Sequence, residues 1–351
     1  MLSRIWILFI FFPALTMAEV TVNPRYDYFQ SQNEELANRL VLSAILAEER
    51  GPFKLFIEGF GDFETNEDQR VLRRSPMRGY LQEAYLEFNF EAFYLRAGKQ
   101  ALRWSESWVL PSLDVWSGRK FNRLYLDPFK DQLNHSSGVS LSYAGSRFSL
   151  DVALIGEYAE TQLPYPLPET LQAAKDELNY GLRFKSQVLS LDYSLIAAKV
   201  PESEVYGMGV NYAFDDWVPK LEVGTQQTDG EATGSFITIG GDLFLGDWIV
   251  VFQGTQLQDK SRSDQQDQIL LYGSLQWRPE KHELTLQAYA NTTLKDQFLS
   301  ASYGYQVHSL VTLSAFVQNY RGEQGLYAVY QEMTQETVIG VRAELNHIFD
   351  Y

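Results

Sequence analysis

Residues 78–107 read RGYLQEAYLEFNFEAFYLRAGKQALRWSES, and residues 108–135 continue WVLPSLDVWSGRKFNRLYLDPFKDQLNH. In the first stretch Tyr80, Ala84, Leu86, Phe88 and Phe90 share one parity, and Glu83, Tyr85, Glu87 and Asn89 share the other. From Glu91 the pattern restarts: Phe93, Leu95 and Ala97 oppose Tyr94, Arg96, Gly98 and Gln100. Successive strand side chains point to opposite faces, so these two arms form a long β-hairpin with one apolar and one polar side. The connection that follows, Ser105 to His135, is charged and aromatic. A compact domain seldom carries a connection of about thirty residues unless it is functional.

The same alternation recurs along the chain. Leu189, Leu191, Tyr193 and Leu195 oppose Ser190, Asp192 and Ser194; Val311, Leu313, Ala315 and Val317 oppose Thr312, Ser314 and Gln318. Alternation alone also fits a half-buried sheet of a soluble protein. The connections discriminate. Short turns at Gly51-Pro52, Gly145-Ser146, Ser186-Gln187, Asp215-Asp216, Gly246-Asp247, Pro279-Glu280 and His308-Ser309 alternate with longer segments at 65–77, 105–135, 158–176, 229–234, 259–267 and 321–334. Tight turns at one end and longer loops at the other mark an up-and-down antiparallel barrel crossing a membrane. Greek-key crossings would break that rhythm. Including a weak first strand at 20–30, which Pro24 restricts to an edge or an end, the count is about eighteen, with sixteen as the fallback.

The polar faces then belong to the water-filled side. A charge on the lipid face at mid-membrane costs a few kcal/mol, so Glu83, Glu87, Arg96 and Gln100 are expected in the lumen. Lys99 has lipid-face parity and is expected near an interface, where its ammonium can snorkel. The connection 105–135 becomes the third external loop and is expected to fold inward. Its Glu106, Asp114, Arg119 and Arg123 join the strand residues as candidates to line a constriction, because mixed charges set a field across a pore.

The ends and the totals agree. MLSRIWILFIFFPALTMA carries Arg4, a short apolar run and small residues at Thr16 and Ala18, as a cleaved signal peptide over 1–18 would. That leaves 19–351 as one barrel domain. No cysteine is present, so disulfides and a lipidated N-terminal Cys are excluded. The formal charge of −16 argues against a nucleic-acid partner, which needs a basic footprint. In GVRAELNHIFDY, Val341, Ala343, Leu345, Phe349 and terminal Tyr351 share parity. A last amphipathic strand ending on an aromatic residue is similar to the signal read by the barrel-assembly machinery, although His347 interrupts its apolar face.

Enzyme signals are sparse. His135, His282, His308 and His347 have no spacing suited to a metal, and no G-x-S-x-G elbow occurs. The acidic segment around Glu157, Glu160, Glu169, Asp176 and Glu177 lacks EF-hand spacing. Neither a catalytic residue, a metal nor a cofactor is expected.

Glu83 to Ser107, followed by LDVWSGRKF, resembles alginate-export-type and related porin-like outer-membrane barrels of Gram-negative bacteria. The matching positions are Glu83, Tyr85, Leu95, Arg96, Gly98, Lys99, Gln100, Trp104, Glu106, Leu113 and Asp114, with Ser105 where Gly is more usual. The resemblance covers about fifty residues. It implies a monomeric eighteen-strand barrel in outer-membrane lipid that passes anionic or small organic solutes, without naming one. The expectation is therefore a porin-like channel for small solutes, narrowed by loop 105–135. The alternative is a plugged barrel with an enzymatic, structural or adhesive role.

Overall fold

A computed structural model describes residues 19–31, 34–65, 77–107, 112–119, 133–159, 178–201, 203–228, 233–258, 267–323, 327–328, 331, 337–345 and 347–349. The expected signal peptide, the acidic residues Glu160, Glu169, Asp176 and Glu177, and terminal Tyr351 lie outside them. The strands are β1 (Glu19–Ser31), β2 (Glu34–Arg50), β3 (Phe53–Thr65), β4 (Met77–Phe90), β5 (Phe93–Gln100), β6 (Ser117–Arg119), β7 (Leu133–Ala144), β8 (Phe148–Glu157), β9 (Asn179–Val188) and β10 (Leu191–Val200). They continue as β11 (Ser203–Tyr212), β12 (Trp217–Thr228), β13 (Gly234–Leu245), β14 (Trp248–Gln258), β15 (Gln268–Trp277), β16 (His282–Asn291), β17 (Asp296–His308), β18 (Val311–Arg321), β19 (Thr337–Leu345) and β20 (His347–Phe349).

Each strand pairs antiparallel with its neighbours, and β1 pairs with both β2 and β19, so the sheet has no edge. Two short pieces stand apart from the wall count. β6 lies within the long connection and pairs with the start of β7. β20 carries on from β19 against Val20–Val22 of β1. The remaining eighteen strands form a closed barrel, as the alternation of turns and loops predicts.

The burial pattern is that of a soluble protein turned inside out. Leu86, Leu154, Leu195, Ile239, Leu299 and Ile339 point outward and are exposed, whereas Asp27, Arg39, Gln100 and Glu222 point inward and are buried. Only a lipid surround makes such an outer face favourable. At the short-turn end the outward rings form a girdle. Phe93 meets Tyr143 at 5.1 Å, Tyr143 meets Phe148 at 5.4 Å, and Phe148 meets Phe184 at 5.8 Å. Tyr212, Phe214 and Trp217 follow, then Trp248, Trp277 and His282. Amphipathic rings favour the level where acyl chains meet headgroups.

Five sequence expectations change. The first strand is not an edge: β1 is paired on both sides. Its ladder to the chain end stops at Val22 and resumes at Arg25, so the missing N–H of Pro24 falls where β19 gives way to β20. The β9–β10 turn lies at Leu189-Ser190 and not at Ser186-Gln187, and the last turn at Ser309-Leu310 and not at His308-Ser309. Leu189 adopts a positive φ of 58° at the tip. The second hairpin arm ends at Gln100, four residues before Trp104, so Trp104 belongs to the connection.

Tyr80 does not share the lipid face with Leu86. Glu58 pairs with Glu83 but Gly59 pairs with Leu81, which leaves Gln82 as an extra residue. This β-bulge inverts parity on its far side. Leu81 faces lipid and Tyr80 faces inward, stacked on Phe60 with ring centroids 5.3 Å apart.

Candidate functional site

Glu83, Glu87, Arg96 and Gln100 stand on the inner face of the barrel. Glu83 accepts the N–H of Ala101 at 3.2 Å and lies 3.9 Å from His135 Nε2. Glu87 accepts from Arg96 Nε across the β4–β5 pair, and the Arg96 guanidinium sits 5.0 Å above the Tyr85 ring. Gln100 is buried and committed to β7: its Nε2 donates to Gly138 O at 3.3 Å and its Oε1 accepts from Ser140 Oγ at 2.7 Å. Gln82, displaced inward by the bulge, donates to Leu133 O at 2.9 Å. The hairpin end is thus tied to both ends of the long connection. Lys99 stands on the outer face at the loop end of β5, one residue from its terminus.

Beyond Gln100 the chain turns into the barrel. Trp104 and Trp116 pack edge to face at 5.3 Å and are almost wholly buried, together with Leu102 and Leu113. Their neighbours are inward residues of the adjoining wall: Ala153 and Ile155 from β8, Ile196 and Ala198 from β10, Val205 from β11. The wall is hollowed to receive them. A Cβ on Gly181 would meet Trp116 at 2.6 Å and Trp104 at 2.9 Å, and one on Gly207 would overlap Leu113. Glycine in a strand interior weakens the strand, and close approach by another segment is one reason to keep it there.

Polar contacts hold the same segment. Glu222 on β12 has no exposed surface, yet its Oε1 accepts the Ser105 hydroxyl at 2.6 Å and the N–H groups of Glu106 and Ser107 at 2.5 and 2.9 Å. Glu106 in turn accepts from Asn211 at 2.8 Å and pairs with Lys185 at 3.2 Å. Ser112 reaches Thr238 on β13 at 2.5 Å. The described residues 101–107 and 112–119 therefore lie against the inner wall from β8 to β13.

The remaining candidates divide. Asp114 is half-buried close to Tyr158, whose phenol burial pushes up to about 12, with the Asp114 charge adding to the shift. Arg119 ends β6, where its backbone pairs with Leu133 and its side chain is not described. Arg123 lies outside the described residues. The sequence reading missed Glu222, Lys185 and Asn211, because nothing local marks a strand residue as the partner of a distant loop. It also missed the remaining charged wall: Arg183 with Asp151 at 2.9 Å, Lys220 with Asp242 at 2.6 Å, and Asp27 with Arg25, Arg342 and Arg39 at 3.1, 2.6 and 3.8 Å. A second inward cluster joins Tyr289, Phe298 and Tyr320 to Tyr327 from the last connection, with ring centroids 5.1–5.9 Å apart.

No family model and no curated protein matches this chain. Solved structures do. The chain is similar to Pseudomonas aeruginosa OpdK with vanillate, at a TM-score of 0.63 and 11% identity over 95% of this chain and 99% of that one. Acinetobacter baumannii OccAB3 gives 0.62 and 11% over 95% and 99%. Acinetobacter baumannii OccAB2 gives 0.60 and 13% over 95% and 98%. At these identities the likeness is one of fold: the chain is a closed antiparallel barrel of eighteen strands, with the architecture of these Occ and Opd proteins.

Proposed function

We propose that the chain is a porin-like, non-enzymatic channel of a Gram-negative outer membrane, passing small solutes through a lumen narrowed by the connection 105–135. The observation that carries this reading is the seating of residues 101–107 and 112–119 on a glycine-hollowed inner wall, inside a barrel whose outer face is apolar. The described parts of the segment held there take up part of the lumen cross-section. Glu83, Glu87, Arg96, Glu106, Asp114, Arg119 and Arg123 are our candidates for the charged lining, and Gln100 for the support behind it. The architecture shared with OpdK, described as an outer membrane protein, favours the same location. Export through cleavage after Ala18 and assembly through the strand ending at Tyr351 complete the proposal. The resemblance of Glu83–Ser107 to alginate-export-type barrels is offered as kinship only, with no polysaccharide substrate attached.

Planar-bilayer conductance of the purified protein tests it. Stepwise conductance is expected, and deleting 112–130 is expected to enlarge the steps. If neither protein gave steps, the lumen would be plugged and the channel reading would fall.

A further inference from the structure

The wall beyond β13, which no described contact of the seated loop reaches, differs from the wall beneath it. On β16 to β18 the inward positions include Thr285, Gln287, Ser300, Ser302, Ser314 and Gln318, all half-buried. The register lays them in rungs: Gln287 faces Ser300, which faces Gln318, and Thr285 faces Ser302. Phe316 and Tyr289 place aromatic faces among them. On the described inward faces of β14 to β18, charge occurs only at the rims, as Glu283 beside a turn and Asp296 beside a loop.

The opposite half carries the charge, and there four inward cations are matched, while Arg103 on the seated segment is exposed. Arg96 is held by Glu87, Arg183 by Asp151, Lys185 by Glu106 and Lys220 by Asp242. Cations outnumber acids around Asp27, but Arg25 and Arg39 there are less than a tenth exposed. A cation already bonded to a fixed carboxylate attracts a passing anion weakly, since the anion meets both charges. The chain as a whole is acidic, at −16.

We infer that this lumen is built for an uncharged, polyhydroxylated solute of sugar size, which moves along the hydroxyl and amide rungs of β16–β18. The inference rests on the channel reading above. Ser, Thr and Gln side chains both donate and accept hydrogen bonds, as sugar hydroxyls do. A solute of that kind trades water for wall contacts at small net cost as it advances. An anion would surrender hydration and meet mostly cations already bonded to carboxylates, Arg103 excepted.

The test is entry of labelled glucose and labelled gluconate, two solutes of nearly equal size, into liposomes carrying the full-length protein. Glucose is expected to enter at least roughly fivefold faster, the scale of one lost hydrogen bond. Ser300→Ala with Gln318→Ala widens the lumen while removing two rungs. It is expected to slow glucose roughly threefold relative to glycerol, while potassium chloride conductance does not fall. Gluconate entering faster than glucose, or a double variant in which glucose keeps pace with glycerol, would overturn the inference. Absence of any potassium chloride conductance in the parent protein would instead overturn the channel reading beneath it.

Discussion

Glu222 is the residue on which the position of the lumen segment turns. It is a carboxylate without exposed surface, and three donors from Ser105, Glu106 and Ser107 converge on one of its oxygens. A buried carboxylate is tolerated when donors replace the water it has lost. Glu222→Ala strands those donors, at about 1–3 kcal/mol for each one left dry. The segment should then detach, and single-channel records should show larger and noisier conductance. Glu222→Gln keeps an acceptor and should fall between the two. An alanine variant with parental conductance and noise would mean that the tryptophans alone hold the segment. None of this was legible in the sequence, where Glu222 is one polar residue in an alternating strand. The facing of the hairpin side chains was legible, because parity alone decides whether Glu83, Glu87, Arg96 and Gln100 turn to the outer or the inner face.

At the level of elements, strands were read well where alternation was unbroken and poorly where a single backbone event reset it. Gln82 is such an event: no residue type announces a bulge, so Tyr80 was assigned to the wrong face. Pro24 was another, since a residue that breaks a ladder reads as an edge until a seam is there to absorb it. The wall glycines did carry a signal. Gly181 on β9 and Gly207 and Gly209 on β11 all take inward parity, where a bare lumen would give no reason to omit side chains. Gly181→Val would drive a branched side chain into Trp116 and Trp104. Overpacking of this kind costs about 1–3 kcal/mol, borne by the fit between loop and wall while the barrel ladder stays intact. The expected result is a red shift of tryptophan emission with the folded gel mobility retained. Unchanged emission would show that the loop can rise without exposing its rings.

For the whole molecule, the number and sense of the strands followed from the rhythm of short and long connections, because a closed up-and-down barrel imposes that rhythm and few other folds do. The path across the lumen did not follow, since it depends on contacts between positions a hundred or more residues apart. The most distant of these joins the first strand to the last: Arg342 bonds Asp27 at 2.6 Å, beside Arg25 and Arg39. Removing the acid from such a buried group costs about 3–5 kcal/mol. Asp27→Ala should therefore lower the temperature at which the fast-migrating folded band converts to the slow one on a gel, and an unchanged transition would argue against a tight seam. The seam also has a bearing on time. Its two halves are 315 residues apart, so closure waits for β19 to reach β1 and must meet the entropy of bringing the two together. Until β19 arrives, β1 offers an open row of backbone groups and a cluster of arginines to whatever is near. A chain cut short would keep that edge permanently, which makes the first strand a built-in report on whether the last one was ever made.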